Sequence, residues 1–242
     1  YVSVINYSQS LAKVPLLITL DGEWGLSMRM KNAPRFPHNM GLGAISDEKL
    51  LYEYGREVAR ECREMGIHVN FAPVLDVNSN PANPVIGYRS FGEDPSKVSR
   101  LANAYSQGLE DGGVLSVGKH FPGHGDTSTD SHKELPTVTH DETRLNTIDL
   151  VPFQRYIDAG LSSVMVGHLN VPSLDASGAP ASLSKKITTG LLREKMGFEG
   201  LIFTDALDMK GAKTSAENNC VLAFLAGADM LLASSSPIND IA

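Results

Sequence analysis

Cysteine and tryptophan are almost missing from this chain: its 242 residues include two Cys and one Trp. Two thiols cannot build a disulfide framework or a cysteine-rich metal site, and Cys62 and Cys220 both fall inside apolar helical patterns, where a thiol acts as a small buried hydrophobe. Basic charge is scarce too. With 21 Lys and Arg against 28 Asp and Glu, the formal charge is -7, which excludes the dense basic face that a sequence-independent grip on nucleic acid needs. Arg29, Arg89 and Lys119 therefore read as local ligands for something small. No run approaches the ~18 apolar residues of a membrane span. No charged-then-apolar leader opens the chain, and because it starts at Tyr1-Val2-Ser3 without Met, this leaves the compartment open. No Gly-x-Gly-x-x-Gly or Walker loop follows any apolar run, which argues against a nucleotide site.

What is present alternates regularly. With 42% hydrophobic and 20% charged residues, the chain can bury a sizeable core and is read as one domain over residues 1–242. Six short apolar runs read as buried strands: Val14 to Leu20, Ile67 to Ala72, Val114 to Gly118, Ser163 to Val166, Leu201 to Phe203 and Met230 to Leu232. Helical patterns lie between them. Ser46-Asp47-Glu48 supplies a cap and Gly66 a stop for the first, and Asp94-Pro95 opens the second. Thr139 with Glu142 fits a capping box for the third, Ser184 opens the fourth through Met196, and a last helix spans about Val221 to Ala226. Continuous apolar strands separated by amphipathic helices predict a parallel sheet covered by helices.

Two closures compete, an open doubly wound sheet and a (β/α)8 barrel. Polar candidates (Asp21, Asp76, His120, His168, Asp205) follow nearly every strand, whereas an open sheet gathers them at one switch point, so the barrel is favoured. Six strands are too few to close it. The expectation is a TIM-barrel-like α/β fold, incomplete at one or both ends of this chain.

The most reactive composition lies in Lys119-His120-Phe121-Pro122-Gly123-His124-Gly125-Asp126-Thr127-Ser128-Thr129-Asp130-Ser131-His132, directly behind the third strand. Three readings stand for it. As a zinc site it offers nitrogen and oxygen ligands, but none at the spacing of a His-Glu-x-x-His helix. As a structural loop, its glycines bend the chain while His side chains, His124 above all, cap backbone groups. As a catalytic loop, it sets Asp130 two residues from His132, close enough for a carboxylate to orient and charge an imidazole acid. Asp205, after the fifth strand, reads equally as a nucleophile at a barrel mouth or as a helix N-cap, with Asp208 then in that helix's first turn. Asp21 is a turn residue or a ligand, and Arg89 a ligand or a loop anchor.

The stretch Lys119 to His132 resembles the signature of glycoside hydrolase family 3, in its bacterial β-N-acetylhexosaminidase branch. Ile86 to Gly92, Val164 to His168 and Gly197 to Asp205 carry the similarity along the whole chain. The resemblance implies that His132 is the acid/base with Asp130 tuning it, that Asp205 is the nucleophile of a retaining reaction, and that Asp21, Arg29, Arg89, Lys119 and His120 bind the non-reducing N-acetylglucosamine. It implies no metal and no organic cofactor. A His acid/base departs from the usual glycosidase pair of carboxylates. Asp21-Gly22-Glu23-Trp24-Gly25 departs from the family's more usual Asp-Gln-Glu-Gly-Gly, and Trp24 is read as shaping or bordering the sugar site. The family barrel would start before Tyr1 and run past Ala242.

The implied substrate is a glycan or muropeptide from the cell wall of a bacterium, met in its cytoplasm or periplasm, with no nucleic acid and no membrane span. Two rivals accompany the hydrolase: a β-N-acetylglucosaminide phosphorylase, and an inactive carbohydrate-binding module.

Overall fold

The computed structural model describes residues 1–130, 134–212 and 219–233. Strands β1 (Thr19–Leu20), β2 (Val69–Asn70) and β3 (Leu115–Ser116) are parallel and adjacent in that order, as are β4 (Gly118–Phe121), β5 (Ser163–Val166) and β6 (Leu201–Thr204). One residue, Val117, separates β3 from β4. The segment after β2 runs on beside β4, where the Leu75 amide donates to the Lys119 carbonyl at 2.6 Å and the Lys119 amide to the Pro73 carbonyl at 3.1 Å. Both sheets thus form one succession, and a parallel bridge from Phe203 to Met230 brings in the sixth apolar run.

Apart from β3 and β4, which continue one another on either side of Val117, each strand pairs with the next along the chain, and the order never reverses. That is the winding of a barrel, whereas an open doubly wound sheet starts in the middle and turns back. Side chains report the curl. Val69, Phe71, Val117, Met165 and Phe203 share one buried cluster, and the rings of Phe71 and Phe203 meet edge to face at 5.4 Å. Their strands are not neighbours in the sheet, so this contact crosses the interior. The fold is TIM-barrel-like α/β.

Helices cover the outside. Helix α1 (Val2–Leu11) buries none of its residues, and α2 (Asn39–Leu42) is a single turn. Helix α3 (Glu48–Glu64) starts at Asp47, whose carboxylate accepts from the Lys49 amide. Gly66 follows it at φ +77°, a left-handed turn that glycine adopts without a Cβ penalty. Helix α4 (Pro95–Asp111) starts at Asp94, which accepts from the Lys97 amide. The two cross backbone to backbone: a Cβ on Gly55 would stand 2.1 Å from the Tyr105 carbonyl, and one on Gly108 equally close to that of Tyr52. Two glycines are what lets these helices lie so near.

The third helical region differs from the sequence expectation. Asp141, not Thr139, is its cap, accepting from the Arg144 amide, and α5 (Glu142–Arg144) leads through a wider π-type stretch (Leu145–Asp149) into α6 (Val151–Asp158). Asp141 wins because a carboxylate is the stronger acceptor for amides at a helix start. Ser184 does open the fourth, its hydroxyl oxygen accepting from the Ile187 amide at 3.3 Å ahead of a π-type helix over Lys186–Lys195. Helix α7 (Asn219–Ala226) is the last. Cys62 and Cys220 are buried and free. Among the described residues no helix is long and apolar enough to cross a membrane.

Candidate active site

Parallel winding puts every strand's C-terminal end at one face, and that face carries the polar residues. Asp21 follows β1, Lys119 and His120 lie in β4, His168 follows β5 and Asp205 follows β6. All of these but His168 line a cleft of about 620 Å³, within the roughly 300–1,000 Å³ range of small-molecule sites. Asp21, Arg29, Arg89, Lys119, His120 and Asp205 all line it, over an apolar floor of Phe71, Met165 and Leu232. Six residues singled out in the sequence are thus brought together from far apart in the chain. Asp130 does not line the cleft; its carbonyl accepts from the Glu134 amide at 3.1 Å. His132 lies outside the described residues.

The cleft is held by ion pairs. Glu23, 1% exposed, receives Arg89 in a two-pronged contact, Nε to Oε2 at 3.0 Å and Nη2 to Oε1 at 2.7 Å. The Lys119 ammonium lies 2.9 Å from the same Oε1. It also donates to Asp21 Oδ1 at 2.9 Å, while Arg29 holds Asp21 Oδ2 at 2.9 Å. Burial by itself would raise the Glu23 carboxyl, but Lys119 and Arg89 outweigh it and hold Glu23 far below the usual carboxylate range. Burial opposes ionisation of Asp21 in the same way, and Lys119 and Arg29 bring it below normal. For Lys119, burial favours the neutral amine, and Glu23 and Asp21 reverse this, raising its pKa. All are therefore charged at neutral pH, forming fixed donors and acceptors for hydroxyl and amide groups.

A second carboxylate organises the loop behind them. Asp76 is fully buried; Oδ2 accepts from the backbone and Nδ1 of His120 at 3.1 and 2.7 Å, and Oδ1 from the His124 amide at 2.6 Å. Arg89 Nη2 reaches His120 Nε2 at 3.4 Å. Since a guanidinium only donates, the neutral His120 ring carries its proton on Nδ1, facing Asp76. Burial would raise Asp76, but His120 and then His124 lower it below normal. His124 itself is buried against Thr127, Nδ1 to Oγ1 at 2.6 Å, and burial followed by the nearby His120 pushes it down to about 4. It serves the loop's architecture.

Asp205 is held from two sides. Its amide donates to the Val166 carbonyl at 3.0 Å, and its Oδ1 accepts from the Ala206 amide at 2.8 Å. His168 Nε2 in turn donates to the Ala206 carbonyl at 2.9 Å, and its Nδ1 meets Ser182 Oγ at 2.6 Å. Burial would raise the Asp205 carboxyl; His120, His168 and the Ala206 amide bring it below normal, so it is ionised at neutral pH. The helix-cap alternative fails. A turn follows Asp205 instead of a helix, and Asp208, expected in a first helical turn, lines the cleft. Glu23 is the main residue the sequence did not single out. Its signal was its place two residues after Asp21, in a loop that leaves a strand.

These shifts predict two windows of acid sensitivity. His124 has a folded pKa below its unfolded value of ~6.5, so the unfolded chain takes up the proton first and stability falls from there down to about 4. Glu23, Asp76 and Asp205 are also depressed. Their stabilisation is full above an unfolded pKa of ~4 and drains below it. Urea midpoints measured from pH 7 to 3 should fall in both windows, and His124→Asn should flatten the upper one. A midpoint level from pH 7 to 5 would contradict the assignment of His124.

Among the described residues no group of three or more His, Cys, Asp or Glu is arranged to hold a metal ion. The fold and the cleft define an α/β-barrel protein whose strand ends gather charged side chains around one cleft. The chain belongs to glycoside hydrolase family 3, whose N-terminal domain matches residues 3–242. It is 40% identical to β-hexosaminidase A of Pseudoalteromonas piscicida, over 93% of this chain and 40% of that protein. A solved glycoside hydrolase family 3 β-N-acetylglucosaminidase from Paenibacillus sp. str. FPU-7 superposes with a TM-score of 0.92 at 41% identity, covering 96% of this chain and 46% of that one. The β-glucoside phosphorylase BglX, bound to 2FGlc, superposes with a TM-score of 0.94 at 30% identity, covering 99% and 45%. The chain thus spans less than half the length of these three proteins.

Proposed function

We propose that this chain is the catalytic domain, residues 1–242 as one unit, of a retaining β-N-acetylhexosaminidase that releases terminal β-linked N-acetylglucosamine from cell-wall-derived glycans. The observation that carries the reading is the placing of an ionised Asp205 in the same cleft as Asp21, Arg29, Arg89, Lys119 and His120. Asp21, Arg29, Arg89, Lys119 and His120 hold the sugar hydroxyls and acetamide. Asp205 attacks the anomeric carbon as its bond to the leaving oxygen breaks, and His132, tuned by Asp130, gives that oxygen a proton. Water then attacks the same carbon, His132 takes its proton, and the bond to Asp205 breaks. No metal or organic cofactor enters these steps. The names of the relatives, a β-hexosaminidase and a β-N-acetylglucosaminidase, support the choice of sugar.

A second reading, a phosphorylase, draws on the likeness to the β-glucoside phosphorylase. There phosphate replaces water in the second step and the product is a sugar 1-phosphate. Product analysis of N,N′-diacetylchitobiose cleavage, with and without inorganic phosphate, separates the two. Free N-acetylglucosamine at a phosphate-independent rate is expected; phosphate-dependent sugar 1-phosphate would overturn the hydrolase, and no cleavage under either condition would overturn both.

A further inference from the structure

On residues next in the chain to Glu23, Asn39 and Arg89 three rings meet. Trp24 packs edge-on to His38 at 4.4 Å between centroids, His38 lies 4.6 Å from Tyr88, and Trp24 lies 6.2 Å from Tyr88. None of the three lines the cleft. They are nevertheless not left in the interior: Tyr88 is 57% exposed, and Trp24 only half-buried. Rings that merely filled the core would be covered like Tyr105 or Phe153, which are almost fully enclosed.

The chain neighbours of these rings explain why the cluster is fixed. Trp24 follows Glu23, His38 precedes Asn39 and Tyr88 precedes Arg89. Those three neighbours are joined: Arg89 grips Glu23 through two hydrogen bonds, and Asn39 Nδ2 donates to the Arg89 carbonyl at 2.7 Å. Glu23 and Asn39 are each 1% exposed. A buried polar joint thus sets two exposed rings and the half-buried Trp24 at fixed positions, each next in the chain to a residue of that joint. Pre-ordered aromatic surface costs little entropy on binding, which makes it effective for contact with a flat, partly apolar face.

We propose that Trp24, His38 and Tyr88 form a platform for the leaving-group sugar, so that the site reads two rings of the substrate and not one. The inference rests on the hexosaminidase reading and deepens it. An enzyme that removes terminal residues holds one ring in its cleft, and the remainder of the chain must leave across the rim. The C–H face of a second N-acetylated hexosamine presents the apolar surface that aromatic rings accept, while its hydroxyls stay in water.

The test uses two substrates on the same protein: N,N′-diacetylchitobiose, whose leaving group is a sugar, and N-acetyl-β-glucosaminyl fluoride, whose leaving group is one atom. In Tyr88→Ala and Trp24→Ala the ratio of kcat/KM for the disaccharide to that for the fluoride should fall on the order of tenfold, mainly through KM, the loss of one aromatic contact. Trp24→Phe should restore most of it. Because Trp24 is the only Trp, intrinsic fluorescence reports occupancy directly: chitotriose should change the emission and N-acetylglucosamine should not. An unchanged ratio, an equal fall for both substrates, or identical emission responses to both sugars would overturn the platform. Failure of the wild-type chain to turn over the fluoride would instead overturn the hexosaminidase reading.

Discussion

Asp205→Ala should lower kcat for an aryl β-N-acetylglucosaminide by on the order of 10⁴-fold or more while the chain stays folded. In the proposed reaction Asp205 takes the covalent step, and nothing else in the cleft combines its position at the end of β6 with a carboxylate free of ion pairing to Lys or Arg. Asp21 is spent on Lys119 and Arg29, and Glu23 on Arg89 and Lys119. A nucleophile must be ionised and yet available. Asp205 meets both conditions, because its carboxyl is kept low by His120, His168, the Ala206 amide and the field of Lys119, with no cation gripping both oxygens.

The substitution should leave the fold intact, since removing this charge also removes the cost of burying it. Circular dichroism and urea unfolding check that point. A sharper readout is chemical. The space left by the carboxylate admits a small anion, so added azide should restore turnover and yield the glycosyl azide, which a merely structural aspartate would not allow. A fluorinated N-acetylglucosaminyl fluoride should label the wild type on Asp205 and leave the variant unlabelled. Turnover within a few-fold of wild type in Asp205→Ala would remove it from the covalent step.

Most strands were legible because they are buried and so read as unbroken apolar runs; the run Val14 to Leu20 is the exception, since Val14, Leu16 and Leu17 are exposed and only the partly buried Thr19–Leu20 forms strand. Caps were legible where one candidate stood alone, as at Asp94-Pro95, and misread where Thr139 and Asp141 competed within two residues. Helix α1 was not expected; its apolar Val4, Tyr7 and Leu11 stay exposed and it buries none of its residues. Within the cleft, residues that end strands could be picked out, since strand ends are where this architecture shows its chemistry. Glu23 and Asn39 could not. Their importance comes from Arg89, 66 residues from Glu23 and 50 from Asn39, and no local pattern encodes such a meeting. Asp208 was placed in a helix from its spacing, but the backbone turns after Asp205 and carries it into the cleft.

That same joint gives the other large expected effect. Glu23→Ala should destabilise the chain by about 3–5 kcal/mol, the range for removing one partner of a buried ion pair, which lowers Tm by roughly 10 °C for a chain of this size. The side chain of Glu23 is fully enclosed, that of Lys119 nearly so, and Arg89 is covered over most of its length. Without the carboxylate, Lys119 keeps Asp21 as a partner at 2.9 Å, but Arg89 is left buried with its Nε unpaired and its Nη2 held only by the 3.4 Å contact to His120. The attraction that offset the burial of these cations is then gone. Glu23→Gln keeps the shape and two hydrogen-bonding positions, so it should cost less than Ala. A double-mutant cycle isolates the charge: Glu23→Ala with Arg89→Met should be less damaging than the sum of the two single changes, because removing both ends leaves no uncompensated ion. Thermal unfolding of the four proteins at pH 7 measures the coupling. Strict additivity would mean that Glu23 and Arg89 do not stabilise one another, and that the fixed cation field around the sugar has some other source.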